Sequence, residues 1–428
     1  MNAMAFAQPP VTASRASGGA RAVARCRQML VPPFSDSTDG LYRAYLTPAH
    51  AAACRQLEAW MGEAGMTSRI DPAGNVVGRY EGSIAGENGG PVLLIGSHID
   101  SVRDGGAFDG PLGIVLGIEC VAALHERGTR LPFPIEVIAF GDEEGSRFPA
   151  AMLTSRAAAG LLAADRLAIA DPSGVPLGDA LAGFGLSAEG YLAAAYVPGA
   201  VRAYIEAHIE QGPVLEAEGL PLGVVTAIAG QRRFTARMTG VPGHAGTNSM
   251  VLRRDALAAA AEAIAAIERV ARAGADDLVA TVGSLQVAPG SANVVPGRVD
   301  FTIDVRAGSD PARDAAVAAI LAEVEAIAAT RGIGLAVEEI QTLPATPCDP
   351  ALIARLDRAV AATGVRAFRL VSGAGHDAMN MAAIAPIAML FIRSPLGISH
   401  NPAEDVAVAD VELALQAMLG FIEGLGDE

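Results

Sequence analysis

Cysteine is scarce: the 428 residues contain four (Cys26, Cys54, Cys120, Cys348), far apart and without a C-x-x-C pair. A thiolate metal cluster and a disulfide framework are therefore excluded, and a reducing cytoplasm is the expected setting. Long apolar runs are also missing. Apolar residues make up 51% of the chain, but alanine supplies much of that, and no run reaches the roughly 18 strongly apolar residues of a membrane span. A soluble chain is expected. Basic residues are in deficit: 31 Lys and Arg against 47 Asp and Glu leave a net charge of -16. This argues against nucleic acid or an anionic membrane surface as partner and leaves small anionic substrates open. There is no G-x-S-x-G elbow, and the Gly-rich run at 104–113 lacks the Lys-Ser/Thr of a phosphate-binding loop. Serine-hydrolase and nucleotide-dependent chemistry fall away accordingly. Acidic residues are absent before Asp36, where Arg15, Arg21, Arg25 and Arg27 stand instead. Without a continuous apolar h-region, this segment reads as a loose tail leading into a helix over 20–30.

What is present points to two domains, the usual answer for a chain of this length. From Pro91 onward the pattern is α/β: PVLLIG as a strand, a helix over 113–127, and a strand over 135–140. Between 223 and 343 half-exposed strands and two alanine-rich helices, over 254–273 and 310–331, predict a separate α+β domain. Along 299–305 the odd positions Val299, Phe301, Ile303 and Val305 are apolar, whereas Asp300, Thr302, Asp304 and then Arg306 face the other way. The α/β pattern returns with a strand over 385–393 and a final helix over 410–425. The middle domain thus reads as an insertion between 1–222 and 344–428.

The chain has seven histidines, and five of them (His98, His208, His244, His376, His400) fall in Gly-, Ser- or acid-containing loops. His50 and His125 lie in helical, surface-like contexts and read as bystanders. Any single histidine is more often an ordinary hydrogen-bonded side chain, so the neighbours decide. In GSHIDSVRDGGAFDG, His98 and Asp100 share one side of a strand end, where Asp100 is suited to hold the imidazole. Asp109, after a Gly-Gly turn, is the best candidate for a carboxylate bridging two cations, while Asp104 reads as an Asx turn. Glu143 and Glu144 end an apolar strand, where two unpaired carboxylates demand a cation. A division of labour explains the pair, one binding metal and the other moving a proton; a solvated acidic turn paired with Arg147 is the plain alternative. His208 in AYIEAHIEQGPVLE and His400 in GISHNPAE complete a set of imidazoles and carboxylates suited to zinc, manganese or cobalt.

Seven motifs, GSHIDSVRDGGAFDGPLG, GDEEGSRF, HIEQGPVLE, VPGHAGT with RRDAL, NVVPGRVDFTIDVR, SGAGHDA and GISHNPAE, occur in the order seen in the hydantoinase/carbamoylase amidases. The chain from about residue 40 resembles that family, part of the dinuclear-metal aminoacylase and carboxypeptidase superfamily. Within it, AIAGQRRF at 227–234 is most similar to allantoate amidohydrolases. The resemblance implies a zinc-exopeptidase-like fold, a central mixed sheet flanked by helices, with an inserted dimerisation or lid domain. It implies two divalent ions per subunit (Zn2+ or Mn2+, with Co2+ as an option): His98 and His208 on one, Glu144 and His400 on the other, Asp109 between them. Glu143 resembles the catalytic base and Asp100 the orienting carboxylate. His244 matches the residue that stabilises the oxyanion, Asn293 and Arg306 those that hold a substrate carboxylate, and Gln211, Gly375 and His376 further pocket positions.

The activity so implied is hydrolysis of a ureido carbon-nitrogen bond, with allantoate as substrate and a homodimer whose partner completes each site. N-carbamoyl-L-amino acid hydrolase and beta-ureidopropionase use the same parts and stay open as alternatives. A dipeptidase or aminopeptidase and a non-catalytic binding protein stand further off.

Overall fold

The computed structural model describes residues 17–84 and 90–426. The tail read for the N-terminus lies mostly outside the described residues. The helix after it spans Gly18–Gln28, with Ser17 accepting from the Ala20 N–H at its start. The arginines of this acid-poor stretch dock it: Arg21 and Arg25 converge on the buried Glu119 at 2.6 and 3.0 Å.

The larger of two main sheets has nine strands. Its centre consists of Ile135–Phe140, Val92–His98, Val201–Ile209 and Ile387–Ile392, side by side and parallel. All four are buried runs, as strands covered on both faces must be. The helices Pro111–Glu126 and Val408–Gly424 bury Leu112, Ile114, Val115, Val411, Met418 and Phe421 in the same core. Parallel neighbours share one carboxyl end. The loops after His98, Phe140, Ile209 and Ile392 therefore open on the same rim.

The smaller sheet runs Leu285–Ala288, Arg298–Ala307, Gly230–Thr239, Gly334–Leu343, all antiparallel, with Val279–Thr281 added beside Arg298–Ala307. The period-two expectation holds. Val299, Phe301, Ile303 and Val305 are buried in a second core with helices Ala256–Arg272 and Asp310–Arg331, and Asp300, Thr302, Asp304 and Arg306 are half-buried on the open face. Asp255 and Ser309 cap those helices, and Gly332 ends the second at φ +62.

The domain boundary expected at 223 moves. Leu222–Ile228 pairs with Ile387–Ile392 and Arg369–Ser372 in the larger sheet, so the chain leaves that sheet only at Ala229. The run is apolar and buried almost throughout, the mark of an internal strand and not of a half-exposed one. The way back runs alongside the way out: Leu343 faces Gln231, and Thr346 faces Ile228. Gly230 is required at this crossing, because a Cβ would strike the Ala345 nitrogen and the Arg313 guanidinium.

His50 is a second correction. It lies in a helix, Pro48–Glu63, but is fully buried, its Nδ1 accepting from the Leu46 N–H at 3.1 Å and its ring stacked on Phe184. Burial holds its pKa down at about 3. Helical periodicity places a residue on a helix, not the face of that helix against its neighbours. His125 is exposed as expected. All four cysteines are buried and free, and no helix among the described residues is long and apolar enough to cross a membrane.

Candidate metal centre

The four strand-end loops bring His98, Asp109, Glu143, Glu144, His208 and His400 around one cavity of about 240 Å³, with Gln211 and Gly375 also in its wall. His98 ends its strand. Its Nδ1 lies 3.2 Å from the Asp100 carbonyl and 3.4 Å from the Asp100 carboxylate, which leaves Nε2 facing inward. Gly110, at φ +87, lies against this histidine; a Cβ there would strike both the His98 carbonyl and its ring. Asp100 also joins two loops, accepting from the Glu143 N–H at 2.9 Å and the Glu144 N–H at 3.2 Å.

Asp109 stands in the middle with its two oxygens turned to different partners. Oδ1 lies 3.2 Å from His208 Nε2 and 3.8 Å from His98 Nε2, and Oδ2 lies 3.1 Å from His400 Nε2. His400 Nε2 is in turn 3.5 Å from Glu144 Oε1. Two donor sets of metal-binding geometry result, His98-Asp109-His208 and Asp109-Glu144-His400, with His98-Glu143-Glu144 beside them. The first is buried. The second opens to solvent at His400, whose side chain is 48% exposed.

The charges suit cations. Burial raises Glu143 well above the usual carboxylate range, with Glu144, Asp377 and Asp100 adding to it and His98 opposing. Burial likewise pushes Glu144 up to about 7, against His98. His400, hydrogen-bonded to Asp109, is raised to about 9, and burial lowers His208 to about 4. Asp109 stays below the carboxylate range despite its burial, because His400, His208 and His98 surround it. Arg147, the cation a solvated acidic turn would use, pairs instead with Asp171 and the carbonyls of Tyr45 and Leu46. The donor set of imidazole and carboxylate, without thiolate, fits two divalent ions such as zinc or manganese. The chain contains no lysine, so imine chemistry through a lysine amine is excluded.

The remaining expected site residues divide. Gln211, at φ +58, points its amide nitrogen into the cavity, 3.1 Å from both Asp109 oxygens. His376 lies deeper than a pocket residue: it is buried edge-on behind His208, its Nε2 2.8 Å from Ser372 Oγ. Arg306 lines a neighbouring cavity of about 890 Å³ that shares Gln211, Ala374 and His400 with the metal site. Asp304 accepts from the Arg306 Nε at 2.9 Å, and the Arg306 Nη1 donates to the Gly373 carbonyl at 2.6 Å, just past the end of the strand Arg369–Ser372 in the larger sheet. His244 and Asn293 sit together elsewhere. His244 belongs to the short pairing of Gly243–His244 with Val294–Val295 and Asn293 adjoins it; both are exposed and line neither cavity.

Two contributors escaped the sequence analysis. Asp304 accepts from Gln231, Arg233 and Arg306 together. Glu404, buried, accepts from the Phe108 and Asp109 N–H groups. Its signal was available in GISHNPAE, four residues after His400.

Parallel strand ends gathering imidazoles and acids about one central carboxylate form a candidate dinuclear metal centre on a zinc-exopeptidase-like fold. The profile of Peptidase family M20/M25/M40 matches residues 94–424, and the chain belongs to that family. It is 43% identical over 365 residues to an N-carbamoyl-L-amino acid amidohydrolase of Geobacillus stearothermophilus, covering 85% of this chain and 88% of that one. It is 40% identical over 422 residues to allantoate deiminase 1 of Glycine max, covering 91% and 86%. Among solved structures, a hydantoinase/carbamoylase family amidase from Burkholderia multivorans superposes with a TM-score of 0.88 at 36% identity, over 96% of this chain and 98% of that one. The chain is an enzyme, a hydrolase of carbon-nitrogen bonds.

Proposed function

We propose that the protein hydrolyses the ureido bond of a small carboxylate, with allantoate as substrate and ureidoglycine, ammonia and carbon dioxide as products. The observation that carries this reading is the two-sided environment of Asp109, with Glu143 in the same cavity wall. His98 and His208 would hold one divalent ion and Glu144 and His400 the other. When bound, the pair supplies Lewis acidity at the scissile carbonyl and lowers the pKa of water. Glu143 takes the proton of the attacking water and passes it to the leaving nitrogen, and Asp100 keeps His98 and the Glu143 backbone in place. Arg306 grips the substrate carboxylate from the adjoining cavity. His244, stabilising the oxyanion, and Asn293 come from the partner subunit of a homodimer; their separation from this chain's own cavity supports that assignment.

A second reading has its own support. The larger cavity carries Val279, Phe368, Leu370, Val371 and Phe391 on its wall, a surface suited to the apolar side chain of an N-carbamoyl-L-amino acid. Ammonia release from allantoate, N-carbamoyl-L-amino acids and ureidopropionate, with manganese, cobalt or zinc added to metal-free protein, separates the two. Preference for N-carbamoyl-leucine over allantoate would replace the first reading by the second, and no turnover of any ureido acid would sink both.

A further inference from the structure

Glu404 has a carboxylate that the proposed reaction does not use. It is 5% exposed, in the turn that carries His400. Its Oε1 accepts from the Phe108 N–H at 2.8 Å and the Asp109 N–H at 3.0 Å. Its Oε2 is buried with no hydrogen-bond partner. The loop 104–110 wraps closely around it: a Cβ on Gly106 would overlap the Glu404 side chain. The Glu404 N–H donates to the Asn401 carbonyl at 3.0 Å, which ties it to the residue after His400.

We propose that Glu404 is a positioning residue that locks the bridging carboxylate of Asp109 to the His400 turn by gripping the Asp109 backbone. Asp109 has to present two oxygens to two different donor sets at once, so its main chain has little freedom to rotate. Ordinary loop hydrogen bonds would leave that peptide unheld, because both N–H groups point away from any strand or helix partner and into the Glu404 carboxylate. The grip also joins the two donor sets. Asp109 is shared by both, His400 belongs to the exposed one, and a single side chain fixes their separation. A neutral acceptor of the same shape would make the same two bonds, so the geometry of Oε1 carries the role.

The inference rests on the dinuclear reading of the site, and binding experiments separate the two. Metal-free protein, wild type and variants, is titrated calorimetrically with Zn2+ and Mn2+, and the visible spectrum of the Co2+-loaded form reports ligand geometry. Glu404→Ala should weaken at least one cation by about 10- to 100-fold, the usual range for a residue that orients a ligand. It should also alter the Co2+ spectrum and lower kcat while leaving KM unchanged. Glu404→Gln keeps the acceptor and should keep the wild-type spectrum and most of the affinity. Gly106→Ala, which displaces the side chain without removing it, should weaken cation binding even if Glu404→Ala does not fold. Equal losses in Glu404→Ala and Glu404→Gln, or unchanged affinity in Gly106→Ala, would overturn the proposal. If the unaltered chain takes up no cation, the dinuclear reading itself falls.

Discussion

The rim of the larger sheet and the open face of the smaller one each carry functional side chains, but they hold them in different ways. On the rim, His98, Asp109 and His208 are buried and held by one another, by the Asp100 and Ile209 carbonyls and by the Glu404 carboxylate. On the open face Arg306 is half-buried and rests on one carboxylate, Asp304, while His244 and Asn293, at a separate two-stranded pairing, are exposed. Groups that meet cations must be placed to within fractions of an ångström, and parallel strand ends supply that rigidity. Groups that meet the substrate have to admit it first. On the proposed reading, reaction type would be built into the rim, and substrate choice into an element loosely coupled to it.

The comparison can be broken at its strongest point. Glu143→Gln should lower kcat by about 10²- to 10⁴-fold, the range for loss of a general base, with two cations per chain still present by elemental analysis. Full activity, or loss of the cations, would show that rim residues do not divide their labour as proposed. On the open face, Arg306→Ala should raise KM for a carboxylate substrate by about 10- to 100-fold, equivalent to roughly 1.5–3 kcal/mol for a charge-assisted contact, with a much smaller change in kcat. Asp304→Asn should move KM the same way by less, since the arginine remains but loses its charged support. Steady-state kinetics on both variants sharpens the contrast; an unchanged KM in Arg306→Ala erases it.

Mixing tests whether the open face serves a neighbouring subunit. Inactive Glu143→Gln and inactive His244→Ala, unfolded and refolded together, should recover about a quarter of wild-type activity, because half the dimers are mixed and each mixed dimer has one intact site. No recovery would return His244 to its own chain or remove it from the site. The last test concerns stability. His50 has a folded pKa of about 3 against an ordinary 6.5, so the unfolded chain binds the extra proton between those values. Its contribution to stability is complete above pH 6.5 and is lost as pH falls toward 3, by about 1 kcal/mol per pH unit. Urea unfolding of His50→Gln should show a shallower loss of stability across that window, and an identical slope would contradict the buried, neutral state.

Local periodicity made much of the architecture legible. The alternation along 299–305 and the helix 310–331 lie where the pattern put them, because a side chain's face in a strand and a helix's ends are decided by near neighbours. Pairing partners are not local. The segment from 223 falls in the inserted domain on its pattern, whereas Leu222–Ile228 pairs in the larger sheet, and the small core that joins Tyr45 to Phe148 and Tyr191 has no signature in the sequence. At the site, histidines and acids at strand ends were visible as a cluster, and the resemblance sorted them. The motif GISHNPAE contains Glu404, but its role was not legible, since its partners are backbone N–H groups that look alike in every sequence. His376 shares a Gly-rich motif with a true cavity residue, Gly375, but its ring turns into the core.

The paired crossing at Gly230 and Leu343 sets a mechanical scale for the smaller sheet. Two strands side by side form a ribbon, which bends about its short axis more readily than it twists or shears. Arg306 faces Gln231, next to that ribbon. His244 comes after the far end of Gly230–Thr239, a ten-residue strand that spans about 30 Å at roughly 3.3 Å per residue. A rotation at the ribbon would carry His244 and Asn293 further than Arg306, which sits close to the pivot. On that geometry Arg306 would be the short arm of a lever and the distant pair the long one.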